Sequence, residues 1–178
     1  TEIVYDAEAL FSLREIVRAE VLHNPISEKQ QAEMIREELA LARHADQIVT
    51  VSPNESSHYA LAGYKHVHVL GHTVETLAEG QNFPERSGFL FVGAIQSDDS
   101  PNGDSLIWFL REVWPILCAE IEHPRLDVVG LCLSDQVRTL AGSNVVIHGR
   151  VADVAPFYNQ ARVFIVPTRF AAGIPHKA

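Results

Sequence analysis

Short apolar runs alternate with longer stretches of helical periodicity along this chain, and this alternation limits the fold more than any other feature. In the first 70 residues, apolar runs end near Tyr5, Val51 and Leu70. Short continuous apolar runs are typical of buried strands, whereas apolar residues at every third or fourth position are typical of helices. Strands that alternate with helices need crossover connections, which produce parallel sheets covered by helices. The pattern therefore predicts an α/β fold.

Three helices are predicted among these strands. Residues 7–21 carry an apolar stripe at helical spacing, and Ser27 with Gln30 forms a capping box ahead of a second helix that should end near Ala45. A third helix is expected to begin at Ser52-Pro53, because proline is favoured in a first helical turn.

A domain boundary is predicted in the middle of the chain. Residues 71–87 show no sustained period and contain glycine, proline and polar residues, which is typical of a linker. Residues 88–93 then form an almost wholly apolar strand, the kind expected when helices cover both faces of a sheet. A helix follows from about Asp104, and the series continues with strands at 126–130, 145–147 and 163–166 and helices at 136–140 and 154–160.

Charge and composition exclude several classes of function. Fourteen basic against 23 acidic side chains give a formal charge of -9, which repels a phosphate backbone, so nucleic acid is not expected as a partner. Cys118 and Cys132 have no metal-ligand or redox-motif spacing and are interpreted as reduced, buried thiols. No long apolar run or signal peptide is visible, so we expect a cytoplasmic protein. Because the chain starts without Met on a strand-like run, we also expect its true N-terminus to lie upstream.

Several segments, taken in order, resemble glycosyltransferase family 4. The most specific is the end of the chain, residues 166–178, where a Pro, an Arg, small residues, Gly-Ile and a Lys follow one another as in that family's donor-site loop. Other matching segments share the family's order of strands and helix starts, and they are residues 5–14, 45–52, 89–93, 102–115, 128–130 and 149–153. The resemblance covers nearly the whole chain.

The resemblance implies a GT-B arrangement, with two Rossmann-like parallel-sheet halves facing each other across a cleft and both halves incomplete. Residues 1–70 would then be the end of the acceptor-side domain, 71–87 the linker and 88–178 the first part of the donor-binding domain. Members of the family continue beyond this point with a helix that carries a glutamate for the donor ribose. The resemblance therefore implies a truncated fragment that is inactive by itself and binds donor weakly or not at all.

The implied activity is retaining transfer of a sugar from a nucleotide sugar, a UDP- or GDP-sugar, to a glycan or lipid-linked acceptor. Negative charge develops on the departing nucleoside diphosphate, and cationic side chains and helix N-termini stabilise it. No metal and no cofactor beyond the donor are then needed. Peripheral contact with a membrane is compatible with a lipid-linked acceptor.

Gly93, Arg169, Gly173 and Lys177 are predicted to bind the donor. Arg169 and Lys177 follow the strand at 163–166, at the carboxyl edge where ligands of parallel sheets bind, and their charges suit a diphosphate. Gly173 lets the backbone approach a phosphate, although a simple turn glycine with positive φ explains it equally well. Gly93 ends a strand, where a tight turn brings backbone N–H groups to the donor.

Glu8 is the candidate catalytic residue. It follows the first predicted strand, where relatives often present a histidine towards the cleft, so contact with the acceptor or proton transfer is one interpretation. An ordinary acidic residue in the first turn of a helix is the other.

The loop after Gly93 departs from the family pattern. Residues 96–100 lack the Arg and Lys that relatives place nearby, and the carboxylates of Asp98 and Asp99 would oppose a diphosphate. Asn102 and Asp104 could touch the donor, but a turn residue and a helix N-cap explain them better.

Two other functions stay open. A sugar-nucleotide epimerase of the same architecture would use acid and base side chains on the sugar itself. A non-catalytic domain that binds a protein partner is favoured by the acidic pair at Asp98 and Asp99. A metal site is not expected, since His66 and His68 share a predicted strand face without a third ligand.

Overall fold

The fold is taken from a computed structural model, which describes residues 1–73 and 80–173. Residues 74–79 of the predicted linker and Lys177 of the predicted donor loop lie outside the described residues. The described chain forms two compact units, one containing residues 1–73 with 170–173 and the other containing residues 80–169. Each unit has its own parallel sheet, so the predicted α/β class with two Rossmann-like halves is confirmed.

The first unit has a three-stranded parallel sheet in the order β1-β2-β3. Its elements are β1 (Val4–Ala7), α1 (Phe11–Val21), α2 (Glu28–Leu39), β2 (Gln47–Thr50), α3 (Pro53–Leu61) and β3 (Val67–Val69). The predicted cap of α2 and the predicted start of α3 are confirmed. The Ser27 hydroxyl accepts the N–H of Gln30, and the Ser52 hydroxyl accepts the N–H of Glu55.

The core of the first unit joins one face of this sheet to its helices. Ala7 and Ile48 come from the strands, and Leu10, Leu39 and Tyr59 pack with them, each less than a tenth exposed. Burial of such side chains contributes about 1.5–3 kcal/mol each, so this cluster is the main stabilising element of the unit.

Helix α1 begins at Phe11, four residues later than the sequence predicts. The N–H of Leu10 donates to the buried carboxylate of Glu55 at 3.1 Å, and the N–H groups of Phe11 and Ser12 donate to the carboxylate of Glu38, each at 2.7 Å. Side chains from α2 and α3 therefore cap α1, and they fix where it starts. Glu8 consequently lies in the loop before α1, and its interpretation as a residue of the first helical turn is wrong.

The second unit has a four-stranded parallel sheet in the order β6-β5-β4-β7. Its elements are β4 (Phe89–Val92), α4 (Pro101–Trp108), α5 (Trp114–Glu120), β5 (Leu126–Val129), α6 (Asp135–Leu140), β6 (Val145–Gly149), α7 (Ala155–Gln160) and β7 (Val163–Phe164). A π-helical turn, Phe109–Val113, joins α4 to α5. The predicted strands of this half are all present, although β7 is shorter than expected.

Apolar side chains cover both faces of the second sheet. Phe91 and Val128 are fully buried in a cluster with Leu106 and Trp114 of the α4–α5 segment. Leu90 points to the other face of β4 and is also fully buried. The nearly continuous apolar sequence of β4 thus has the predicted cause, burial on two faces.

Helix α4 begins at Pro101, earlier than the sequence predicts, and Ser100 is its N-cap. The Ser100 hydroxyl accepts the N–H of Gly103 at 3.2 Å, and Asp104 lies one turn inside the helix. The expectation that Asp104 caps this helix is therefore wrong.

Within the described residues, no helix is long and apolar enough to cross a lipid bilayer.

Candidate functional site

The carboxyl edge of the second sheet, where β4 lies between β5 and β7, is the candidate site. β5 and β7 pair with β4 on its two sides, so the strand order of the sheet reverses at β4. In open parallel sheets, ligands bind outside the carboxyl ends of the strands at such a switch point. Gly93 follows β4 directly, and Arg169 follows β7 by five residues.

Close backbone packing at this edge depends on glycine at three positions. A β-carbon on Gly103 would lie 2.0 Å from the carbonyl oxygen of Ser97, and one on Gly130 would lie 2.3 Å from that of Gly93. A β-carbon on Gly93 would lie 2.9 Å from the amide nitrogen of Asn102, which donates to the carbonyl of Ala94. Backbone therefore contacts backbone at Gly103 and Gly130, and the Asn102 side chain leaves little room for another side chain at Gly93.

The acidic loop between β4 and α4 is held by internal hydrogen bonds. The hydroxyl of Ser134, the N-cap of α6, donates to the carboxylate of Asp98, and the hydroxyl of Ser97 donates to Asp99 at 2.7 Å. Neither carboxylate stands as an isolated charge. Asp98 thus closes this loop against α6, whereas Asp99 is bonded within the loop.

Arg169 forms a two-point ion pair with Asp104. Its Nε donates to one carboxylate oxygen at 2.8 Å, and its Nη2 donates to the other. The Asp104 side chain is 10% exposed and that of Arg169 is 27% exposed, so the pair is more sheltered than an ordinary surface pair. The guanidinium carbon also lies 6.0 Å from the ring centre of Trp108, one helical turn beyond Asp104.

This ion pair has two opposing effects on a candidate anion site. Two unit charges about 4 Å apart interact by roughly 4 kcal/mol at an effective dielectric constant near 20, so Asp104 cancels much of the field of Arg169. The same carboxylate also fixes the plane and direction of a side chain that otherwise loses about 2 kcal/mol of rotamer entropy on binding. Sequence reasoning missed this partner, because 65 residues separate the two and no local signal joins them.

The first unit contains Glu8 and Gly173. Glu8 is exposed in the loop after β1 and lines a groove of about 460 Å³, together with Asp6, Val49 and Val51. Gly173 has φ +69°, and a β-carbon there would lie 2.8 Å from the carbonyl oxygen of Glu8. Its conformation is the left-handed one that favours glycine in a turn.

A metal centre has no support in the described part of the chain. No group of three or more His, Cys, Asp or Glu side chains there has a geometry that holds an ion. The Nε2 of His68 lies 2.8 Å from the side-chain oxygen of Gln47 on the neighbouring strand, an ordinary polar contact across a sheet face.

Comparison with known families shows the family of this chain. Residues 86–178 match the family described as glycosyl transferases, group 1, and this stretch contains β4 to β7 with Gly93, Asp104 and Arg169. The match spans more than half of the chain. The chain belongs to the group 1 glycosyltransferases. No curated protein matches the sequence.

The site residues predicted for this group 1 glycosyltransferase are distributed over both units. Gly93 and Arg169 lie at the carboxyl ends of neighbouring strands in the second unit, and Glu8 and Gly173 lie in the first. Lys177 is outside the described residues. The family resemblance found in the sequence is confirmed by the match.

Proposed function

We propose that this group 1 glycosyltransferase moves a hexosyl group from a nucleotide sugar, a UDP- or GDP-sugar, to a glycan or lipid-linked acceptor in the cytoplasm. Retention of the anomeric configuration is part of the proposal and rests on the resemblance to family 4. When the glycosidic bond of the donor breaks, its electron pair goes to the nucleoside diphosphate. The protein must stabilise that charge more strongly in the transition state than in the bound donor.

The position of Arg169 is the observation that carries this proposal. It follows β7 at the carboxyl edge beside β4, where parallel sheets bind ligands. Its guanidinium has five N–H donors, and the fork to Asp104 uses two of them. The remaining donors suit the oxygens of a diphosphate, and such charge-assisted hydrogen bonds are the strong ones.

Other residues have roles within the same proposal. Gly93 lies beside the donor at the end of β4, and Gly173 and Lys177 complete the donor loop. Glu8 contacts the acceptor in this proposal, which its exposed position at the groove after β1 supports. The segment 71–87 serves as the linker between the acceptor-side and donor-binding domains.

The acidic loop no longer favours a protein-binding domain over an enzyme. Asp98 and Asp99 accept hydrogen bonds from Ser134 and Ser97, so these carboxylates are engaged in closing the loop. The acidic pair therefore has an explanation within the loop, and it is not by itself a sign of a protein partner.

Calorimetric titration of the full-length protein with UDP, GDP and their hexose conjugates tests the proposal. We expect one of the two nucleotides to bind and Arg169→Ala to weaken it by about tenfold or more, since hydrogen bonds to charged groups contribute about 1.5–3 kcal/mol. Arg111→Ala, which removes an exposed charge from the π-helical turn, is the matched control and should bind as the wild type does. An equal loss of nucleotide affinity in both variants, or an affinity that Arg169→Ala leaves unchanged, would count against the proposed site.

A further inference from the structure

Arg169 is held by two side chains of one helix. The two carboxylate oxygens of Asp104 accept hydrogen bonds from Nε and Nη2 of the guanidinium. Trp108 lies four residues later on the same helical face and also contacts the guanidinium. A fork fixes the plane of the guanidinium, and the indole limits its movement out of that plane.

Asp104 is itself well fixed. Its N–H donates to the carbonyl of Ser100 at 2.8 Å, the first helical hydrogen bond of α4, and its side chain is 10% exposed. Ser100 in turn donates its hydroxyl to the carbonyl of Ser97 at 2.7 Å. The position of the guanidinium therefore follows from the start of α4, which the N-cap defines.

The fork leaves the remaining N–H groups of Arg169 for another acceptor. Within residues 1–73 and 80–173, these groups donate to no protein atom. A guanidinium whose Nε edge is held presents its outer edge in one direction, so less freedom is lost when an anion binds there.

We propose that Asp104 is a positioning residue for the donor, because it aims Arg169 at the diphosphate of the nucleotide sugar. The inference rests on the proposed function and gives Asp104 a role that acts through Arg169. Asp104 does not touch the donor in this account. Its contribution is the alignment of Arg169 before binding.

The negative charge of Asp104 also opposes binding of a diphosphate, whereas its alignment of Arg169 favours binding. The direction in which an Asp104 variant changes the affinity therefore tests the inference. If neutralisation of Arg169 dominates, removal of the carboxylate strengthens binding of a diphosphate. If alignment dominates, removal weakens it, by about 2- to 10-fold for one long side chain that must be ordered on binding. Asp104→Asn removes the charge, and Asp104→Glu keeps the charge but displaces the carboxylate by one methylene.

The experiment measures two quantities in the full-length protein. Dissociation constants for UDP and GDP are determined by calorimetry for the wild type, both Asp104 variants and Asp135→Asn. Asp135 is a matched control, because it also lies in the first turn of a helix that follows a strand, but it is 94% exposed. The second quantity is the nitrogen-15 NMR signal of the Arg169 Nε–H group, assigned by its loss in Arg169→Lys.

We expect both Asp104 variants to bind the nucleoside diphosphate about 2- to 10-fold more weakly, with Asp135→Asn unchanged. The Arg169 Nε–H signal should be resolved in the wild type and broadened by solvent exchange in Asp104→Asn. Thermal unfolding of each variant confirms that the chain is folded.

Equal or tighter binding by either Asp104 variant would overturn the inference alone, as would an Nε–H signal that Asp104→Asn leaves unchanged. A wild type that binds neither UDP nor GDP would overturn the proposed function, and the inference with it. The two failures are therefore distinguishable.

Discussion

A β-carbon on Gly130 would lie 2.3 Å from the carbonyl oxygen of Gly93, so the backbones that leave β5 and β4 touch directly at the candidate site. Gly130 also has φ +129°, a backbone conformation that residues other than glycine rarely adopt. Sterics and backbone strain thus both require glycine where the two connections meet.

Gly130→Ala is expected to destabilise the protein by at least about 2 kcal/mol, since strain and overpacking add. Two control glycines separate these causes. Gly149 has φ +69° with open space around it, so Gly149→Ala should show strain alone, about 1–2 kcal/mol. Gly142→Ala meets its nearest atom at 3.6 Å and should change stability little. Urea unfolding measures the free energy of unfolding of all three variants. Equal losses of stability in Gly130→Ala and Gly142→Ala would refute the proposed close packing.

Arg169 and Asp104 are expected to be coupled in stability. Arg169→Ala leaves a carboxylate that is 10% exposed without its partner, which should cost about 1–3 kcal/mol. Asp104→Ala in that background removes the unpaired charge and should recover part of the loss. A double-mutant cycle by chemical denaturation should give a coupling of about 1–2 kcal/mol. Simple additivity of the two single changes would mean that the ion pair is not formed.

Glu38 is expected to stabilise α1 from outside that helix. Its carboxylate accepts the N–H groups of Phe11 and Ser12 at 2.7 Å, the place of an N-cap side chain. Glu38→Ala should therefore cost about 1–2 kcal/mol in unfolding free energy. Glu37→Ala, at an exposed neighbouring position of α2, should stay within about 0.5 kcal/mol of the wild type. A similar effect of both changes would rule out the capping role.

Asp127 is expected to make the free energy of unfolding depend on pH in the acidic range. Burial alone raises the pKa of Asp127, but hydrogen bonds and charges from Arg125 and His148 outweigh it and hold the pKa below its ordinary value of 3.8. The carboxylate therefore contributes stability above that ordinary value, and the contribution is lost as the pH falls through the lowered folded-state pKa.

Asp127→Asn should accordingly lose less unfolding free energy than the wild type on acidification below about pH 4. Denaturant titrations at a series of pH values measure this, and Asp135→Asn, at a fully solvated position, should follow the wild-type profile. Parallel profiles for Asp127→Asn and the wild type would contradict the assigned role of this carboxylate.

The strands could be predicted from the sequence, whereas two of the predicted helix starts are wrong. Each strand is a compact apolar run whose burial follows from local composition, as the fully buried Leu90 and Phe91 of β4 illustrate. The start of α1 depends on carboxylates of Glu38 and Glu55, which are remote in sequence and therefore invisible to a local pattern. The start of α4 has a local signal, Ser100 before Pro101. The prediction that Asp104 caps this helix overlooked it.

The candidate site was predictable in its location more than in its contacts. Gly93 and Arg169 were expected at the carboxyl edge because the ends of parallel strands share one edge, and they do follow the neighbouring strands β4 and β7. The ion pair to Asp104 depends on how a connection 65 residues later folds back onto α4, which only tertiary structure defines.

The most direct measurement of the central claim is an assay of sugar transfer by the full-length protein, with nucleotide-sugar donors in the presence and absence of acceptor. The wild type should release nucleoside diphosphate and form a glycoside of retained configuration only when acceptor is present. Arg169→Ala should lose most of that activity while Arg111→Ala keeps it. Conversion of the donor without acceptor, or transfer that is unaffected by the loss of Arg169, would contradict the account.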